Sequence, residues 1–385
     1  MAPVDAKGRE MTVLQPETVA LPLAGLKVVA VEQAVAAPFA SSRLADAGAH
    51  VIKIERPEGD FARGYDRLAA GQSSYFVWLN RGKESVTLDL AAPEGKAALE
   101  KLIAGADVLI QNLKLGALAR LGFDFERLAR DYPKLIVCSI SGYGETGPMA
   151  ERKAYDLLIQ ADSGLCSITG GPSEPARVGL SLVDIATGAT AYAAILEALI
   201  RRGVTGKGAR IAVSMFDVMA DWLAVPLLAH EGGQTPQRIG MAHPSIAPYG
   251  VYTTRDGRPL LISVQSDREW RNLCARFLGR PDLGTDPRFA ANVARVANRA
   301  ETDALVGEGF ARRSAAEAEA ALLEADIAFA AVNDMAGLAR HPHLRRITVE
   351  TPNGPVSLPA PAPIFAEEAR RYGPVPALKG RHDEH

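Results

Sequence analysis

Residues 27–57 read KVVAVEQAVAAPFASSRLADAGAHVIKIERP. A short β-branched run, KVVAVEQ (27–33), leads through a small-residue segment to a second run, HVIKIERP (50–57). Strand, helix and strand within ~30 residues make a βαβ unit, which requires a parallel sheet and a right-handed crossover. The pattern repeats downstream. SVTLDL (85–90) reads as a strand, and PEGKAALEKLIAGA as a helix opened by Pro93 with Ala97, Leu99, Leu102 and Ile103 on one side. DVLIQN (107–112) is a strand, GALARLGFDFERLARDY a helix and KLIVCSISGYG (134–144) a strand. ARIAVSMFDVMADWLAVPLLAHE (209–231) begins as a strand and continues as an amphipathic helix. The first half of the chain is expected to be α/β and doubly wound.

The pattern changes after residue 232. EGGQTPQRIGMAHPSIAPYG spaces Pro and Gly as loops do. GVYTTRDGRPLLISVQ predicts a hairpin turning at Asp256–Gly257. Helices are expected over DREWRNLCARFLG, NRAETDALVGEGFARR and SAAEAEAALLEAD, and the Ala-rich 314–332 segment is biased toward helix throughout. This is a smaller α+β domain. The β-rich tail, VETPNGPVSLPAPAPIF, is expected to return to the first domain.

A chain of 385 residues exceeds what one compact core usually holds, so two domains are expected. The net charge of −2 supplies no global basic field for nucleic acid or an anionic membrane, so an anionic ligand must be held by local Arg and Lys. Cys138, Cys166 and Cys274 are scattered, which reads as reduced thiols in a cytoplasmic protein. No run of 18 or more apolar residues suggests a membrane span, and residues 1–22 are expected to be a loose leader.

Several motifs point toward chemistry, each with a plainer reading beside it. Gly142, Gly144 and Gly147 have GxGxxG spacing after a strand, but Pro148 and the charged MAERK follow where a dinucleotide site needs a helix, so a turn-rich loop is expected. HPH (341–343) lacks a third metal ligand, and no metal site is assigned. Arg56, Arg81, Lys83, Lys114, Arg120 and Lys153 cluster near predicted strand ends. With Asn112 they suit a phosphate-bearing ligand, or they are ordinary solvated cations. Asp184, in GLSLVDIATG (179–188), precedes a helical pattern carrying Ile185, Tyr192, Ile195, Leu196 and Leu199. It is placed as an N-cap, a sufficient structural reason for an Asp. The same position suits a nucleophile: a carboxylate kept ionised by the helix terminus, able to attack a thioester beside backbone N–H groups that hold an oxyanion.

The residues resemble the class III CoA-transferases (the CaiB/BaiF family), which include formyl-CoA transferase, carnitine CoA-transferase and α-methylacyl-CoA racemase. The resemblance runs from Leu23 through the tail. It rests on LAGLKVVAVEQ, RLADAGAHVIKIERPEGD, NRGKESVTLDL, ADVLIQNLKLGALARLGF, SGYGETGP, KAYDLLIQADSG, LVDIATG, TGKGARIAVSMFD and HPSIAPYGVYTTRDG. It implies a Rossmann-like large domain built from both chain ends (23–210 and 335–385), a linker helix (211–235) and a small α+β domain (236–334), with two chains interlocked as a homodimer. Asp184 matches the aspartate that attacks the acyl-CoA. Gln33 and Ala34 fall where the first βα turn meets CoA, with slightly longer spacing than in formyl-CoA transferase. Arg56 and Leu88 match positions near the nucleotide and adenine. Asn112 and Leu113 match an asparagine–aromatic pair, with Leu in place of the aromatic. Arg120 and Leu121 match an Arg–Met pair at the nucleotide end, and Lys153 a lysine near the phosphates or pantetheine.

Tyr155 and Asp156 stand where racemases of this superfamily carry His–Asp. Tyrosine, with a pKa near ~10, is a poor general base at neutral pH, so transferase is expected ahead of racemase. The glycine-rich loop of formyl-CoA transferase is absent. MAHPSIAPYG (241–250) stands in its place, with His243, Ser245 and Tyr249 available to position a carboxylate. That departure directs the expectation away from formyl and oxalate and toward C4–C5 dicarboxylates. The implied activity moves CoA from an acyl-CoA such as succinyl-CoA to a carboxylic acid, through an aspartyl mixed anhydride and an aspartyl-CoA thioester, without metal or redox cofactor. The alternatives are a racemase or epimerase, an intramolecular CoA transfer within one diacid, and a non-catalytic CoA-binding module.

Overall fold

The computed structural model describes residues 21–366 and 370–378. The expected leader, apart from Leu21 and Pro22, lies outside the described residues. The chain forms two compact units: one holds residues to Ile159, Leu180–Trp222 and the segment from Arg345, the other Gln160–Gly179 and Leu223–Leu344.

The first unit alternates strands and helices: β1 (Lys27–Val31), α1 (Ala36–Asp46), β2 (His50–Glu55), α2 (Ser74–Asn80), β3 (Lys83–Thr87), α3 (Pro93–Ala104), β4 (Val108–Gln111), α4 (Phe125–Asp131), β5 (Ile136–Ser141), α5 (Asp156–Asp162), α6 (Leu182–Thr205), β6 (Ala209–Ser214) and α7 (Met215–Trp222). Its six strands are parallel in the order β3-β2-β1-β4-β5-β6. That order reverses direction between β1 and β4, where doubly wound sheets open a ligand crevice at the strands' carboxyl ends. Val28–Val31 and Val108–Ile110 are buried, as expected for strands covered on both faces.

Helices α1 and α6 cross closely because α6 carries Gly188. A Cβ there would lie 2.5 Å from the Ala36 carbonyl oxygen and 2.8 Å from the Phe39 Cβ. α6 is long and apolar enough to cross a bilayer by length and composition alone, which the sequence expectation did not anticipate. Its buried residues Val183, Thr187, Ala191, Ile195 and Ala198 instead recur at the spacing of one packed face of a core helix.

In the second unit, α8 (Ala224–Glu231) precedes a hairpin of β7 (Tyr249–Thr253) and β8 (Pro259–Ser263), with Gly257 in the turn at φ 78°. Then come α9 (Asp267–Asn272), α10 (Asn292–Ala297), α11 (Arg299–Ala311), α12 (Ala315–Glu324) and β9 (Ala328–Ala331). Trp270, Phe277, Phe289 and Phe310 fill its core. The helix expected over 314–332 ends at Glu324, and Ala328–Ala331 pairs antiparallel with β8. Sheet pairing there overrides the propensity of alanine. The tail forms an antiparallel pair, β10 (Arg346–Val349) and β11 (Val356–Pro359), packed with Ala69, Phe76 and Val77 of the first unit.

Three expectations change. Residues 160–179, expected in the large domain, belong to the second unit, which also extends to Leu344. The linker helix over 211–235 is instead the end of β6 and two helices divided at Leu223. The helix over 116–132 divides into Ala117–Arg120 and α4, around Gly122 at φ 95°.

Candidate functional site

The turn between β1 and α1 is held by two side chains, Asn112 and Asp60. Gln33 N–H donates to Asn112 Oδ1 at 2.9 Å, and Asn112 Nδ2 returns a bond to the Gln33 carbonyl at 2.8 Å. Ala34 has φ 63°, a left-handed conformation that costs a non-glycine residue energy unless its surroundings enforce it. Here Ala34 N–H donates to Asp60 Oδ1 at 3.2 Å. Asp60 is fixed in turn by Ala62 N–H at 2.9 Å and by Lys53 Nζ at 2.8 Å.

A buried charge network lies beneath this turn. Lys53 sits 3.5 Å from Glu32, and Lys83 Nζ meets Glu32 Oε1 at 2.7 Å. Ser41 donates to the other Glu32 oxygen at 2.7 Å. Burial acts to raise the Glu32 carboxyl, but Lys83 and Lys53 outweigh it and hold that group below its ordinary value. Burial depresses Lys83 to about 8, partly offset by Glu32. Glu55 is held down at about 2: burial opposes this, while bonding from Arg63 and the charge of Lys53 favour the anion. Such a network needs every member satisfied, because a buried charge deprived of its partner is strongly destabilising.

Above the network lies a pocket of about 230 Å³, lined among others by Gln33, Arg56, Gly59, Asp60, Leu88 and Leu113. The structure thus brings together Gln33, Arg56, Leu88 and Leu113 at the carboxyl ends of β1, β2, β3 and β4, with Ala34 and Asn112 building the adjoining turn. Arg56 is exposed and donates from Nε to the Gly59 carbonyl at 3.0 Å. Other assigned residues stand outside the lining. Arg120 is exposed and reaches the Leu115 carbonyl at 3.4 Å. Leu121 packs against the core beside α3, and Lys153 is exposed. Arg81 and Lys83 are not ligand contacts. Arg81 precedes β3 and Lys83 is its first residue, and there Arg81 pairs with the buried Asp46 and Lys83 with Glu32. The loop from Gly142 to Gly147 runs without a helix until Asp156.

Asp184 lies in the first turn of α6, but it is not the N-cap. Ser181 occupies that position without a side-chain cap bond, and Asp184 is the third helical residue. The capping acceptor comes from α5: Asp156 Oδ1 accepts the N–H of Val183 at 2.8 Å and of Asp184 at 3.2 Å. The carboxyl of Asp184 therefore does not remain at its ordinary value. Burial, then the nearby Asp156 charge, push it up to about 7. The turn of α6 and the β1–α1 turn share one apolar cluster, in which Ala34, Tyr75, Trp78 and Ile185 pack around Val35, Phe39 and Leu79. Tyr75 Oη lies 3.2 Å from Ser181 Oγ and its ring meets Tyr65 edge-on at 5.6 Å. Burial, Asp60 and Asp184 push Tyr65 up to about 12, so it stays a hydrogen-bond donor. Sequence reading missed Tyr65, Tyr75 and the capping role of Asp156. The signal within reach was the aromatic spacing of GYDRLAAGQSSYFVW. Tyr155 is 62% exposed.

His243, Ser245 and Tyr249 belong to the second unit. The His243 and Tyr249 rings stack with centroids 5.3 Å apart, and Ser245 N–H donates to His243 Nδ1 at 3.2 Å. In the HPH segment, His343 N–H donates to His341 Nδ1 at 3.2 Å, a local turn bond.

The family model described as CoA-transferase family III matches residues 23–383. Acetyl-CoA:oxalate CoA-transferase of Acetobacter aceti is 38% identical over 342 residues, covering 88% of this chain and 87% of that protein. Succinate–glutarate CoA-transferase of Agrobacterium fabrum (strain C58 / ATCC 33970) is 41% identical over 295 residues, covering 74% and 73%. The crystal structure of a CAIB/BAIF family protein from Brucella suis superposes with a TM-score of 0.78 at 38% identity, covering 91% of this chain and 94% of that one.

Proposed function

The chain belongs to CoA-transferase family III and is an enzyme that uses CoA thioesters, and from that premise we propose that it moves CoA between dicarboxylic acids with Asp184 as the nucleophile. The observation that carries this reading is the placement of Asp184: a carboxylate in the first turn of α6, beside Ile185, whose apolar cluster includes Ala34 and Val35 of the turn next to the pocket.

In the proposed reaction, ionised Asp184 attacks the thioester carbonyl. The C–S bond breaks, leaving a mixed anhydride and CoA thiolate. The thiolate then attacks the aspartyl carbonyl carbon, releasing the donor carboxylate and forming an aspartyl-CoA thioester. An incoming carboxylate attacks that thioester and releases CoA thiolate again. The thiolate takes the new acyl group, and Asp184 returns as a carboxylate. Each adduct stays activated, so no ATP is consumed. A serine ester at this position would be a thermodynamic trap.

Gln33, Ala34, Arg56, Leu88, Asn112, Leu113, Arg120, Leu121 and Lys153 are proposed to hold the CoA moiety. Asp156 positions the α6 turn, and Tyr155 is proposed to contact the acid substrate. The names of the relatives support a dicarboxylate, and the oxalate enzyme among them removes the ground for excluding oxalate. We place the enzyme in the cytoplasm as an interlocked homodimer. Exposed apolar side chains support the dimer, among them Val225 at 77% and Leu228 at 66% on α8. The test is to incubate the protein with succinyl-CoA and a panel of carboxylates and to identify new thioesters by mass. Asp184→Ala is expected to lose all of them while keeping its fold. Undiminished transfer by that variant contradicts the reading.

A further inference from the structure

Two stretches of the first unit, far apart in sequence, meet behind one wall of the pocket. That wall is the loop after β2, from which Arg56, Pro57, Gly59 and Asp60 line the pocket. Glu55, the last residue of β2, closes the loop by accepting the Asp60 N–H at 2.8 Å. Arg63 fixes the same carboxylate with two bonds, Nε to Oε2 at 2.8 Å and Nη2 to Oε1 at 2.6 Å. Its remaining nitrogen, Nη1, donates to the Pro376 carbonyl at 3.3 Å, 313 residues away. The guanidinium also lies over the Phe76 ring, 3.7 Å from its centroid. A planar fork engaged in this way holds its partners in one geometry, which the single ammonium of a lysine cannot do.

Residues 372–378 belong to the same unit. The Pro374 carbonyl accepts the Gly82 N–H at 2.8 Å, and Val375 N–H donates to the Glu350 carbonyl at 2.8 Å. Val375 is buried with Phe76 and Val349. Leu378 reaches the loop itself. Gly59 has φ 82°, and a Cβ built there would lie 3.2 Å from Arg63 Cδ and 3.3 Å from Leu378 Cδ2. Gly59 therefore lines the pocket while being backed by Arg63 and Leu378. Among the described residues, none of 372–378 lines the pocket. Asp60 carries the support onward, because its carboxylate accepts the Ala34 N–H at 3.2 Å in the adjoining turn.

We propose that Arg63 is a positioning residue and residues 372–378 a strap, which together hold the 56–60 loop in the shape that binds CoA. This rests on reading the pocket as the CoA site, and it names what supports the wall of that site from outside. Linkage makes the effect reciprocal: a strap that favours the CoA-binding shape of the loop is itself held more firmly when CoA is bound.

The experiment is hydrogen–deuterium exchange of the full-length protein with and without CoA, beside calorimetric titration with CoA. In the wild type, CoA is expected to slow exchange in 56–64 and also in 372–378. Arg63→Gln is expected to speed exchange in both segments and to weaken CoA about tenfold, the scale of one lost hydrogen bond. Arg63→Lys keeps the charge beside Glu55 without the fork and is expected to recover part of that loss. Should Arg63→Gln fold poorly, Leu378→Ala trims a side chain that is 39% exposed. That variant is expected to fold, to speed exchange in 56–64 and to weaken CoA about threefold, the scale of one methylene taken out of contact. Arg202 makes similar contacts at the amino ends of the strands, with Asp107 at 2.9 Å and the Lys134 carbonyl at 3.2 Å, and Arg202→Gln is expected to bind CoA as the wild type does. Exchange in 372–378 that is indifferent to CoA, unchanged affinity in Arg63→Gln and Leu378→Ala, or an equal loss in Arg202→Gln would overturn the proposal and leave the CoA site standing. A wild type that takes up no CoA would overturn both, and its titration alone tells the two failures apart.

Discussion

At the scale of single residues, Asp184 stands between opposing influences. The first turn of a helix favours an anion. Burial and the Asp156 carboxylate disfavour it and prevail, with the group at about 7. Attack on a thioester needs the ionised form, so kcat/KM is expected to fall as pH drops through about 7 in a pH–rate profile. Asp156→Asn keeps an oxygen to accept the Val183 and Asp184 N–H groups but removes the charge, so its acid limb is expected at lower pH than in wild type. Asp156→Ala also loses the cap, at a cost of about 1–2 kcal/mol in a denaturant titration. The raised group has a linked effect on stability. Its proton is bound more tightly in the folded chain than in the unfolded one, so this contribution is full below the ordinary 3.8 and is lost as pH rises through about 7. Asp184→Asn cannot ionise. It is expected to melt higher than wild type at pH 8, by on the order of 1 kcal/mol, with the gap closing at pH 4. The start of a helix at Asp184 was legible in LVDIATG, but its exact helical position was not, because the cap comes from Asp156, 28 residues earlier.

At the scale of elements, the β1–α1 turn depends on how closely α1 and α6 approach. Gly188→Ala places a methyl group 2.5 Å from the Ala36 carbonyl, backbone that yields only if α1 moves. A loss of about 1–3 kcal/mol is expected by denaturation, with a raised KM for the CoA thioester and an unchanged KM for the acid. Removing the Lys83 ammonium with Lys83→Met leaves Glu32 underpaired in a buried site, and a loss of about 3–5 kcal/mol is expected. The parallel strands were legible because buried strands are continuous β-branched runs bounded by turn residues. The fate of Arg81 and Lys83 was not, since a cation near a strand looks the same in sequence whether it meets solvent, ligand or a buried carboxylate. Helix α2 was missed because SYFVWLN is too short and too uniformly apolar to show a period. The strand at Ala328–Ala331 was missed because alanine carries no β signal of its own.

At the scale of the molecule, the reversal of strand order beside β1 explains why Gln33, Arg56, Leu88 and Leu113, far apart in sequence, surround one crevice. The family motifs pointed to Gln33, Arg56, Leu88 and Leu113 in that lining but not to Glu32, Glu55, Gly59 or Asp60, and the aromatic spacing around Tyr65 and Tyr75 does not by itself say that the two rings meet. For the proposed dimer, light scattering is expected to return twice the chain mass of 40.9 kDa, and the mass should hold on dilution to nanomolar protein, because interlocked chains cannot part without opening. The most direct test of the central claim is chemical. The protein is mixed with succinyl-CoA, quenched with hydroxylamine during turnover, and mapped by peptide mass spectrometry. A hydroxamate on Asp184 is the predicted result. A label on another side chain, or none while thioester exchange continues, would contradict it.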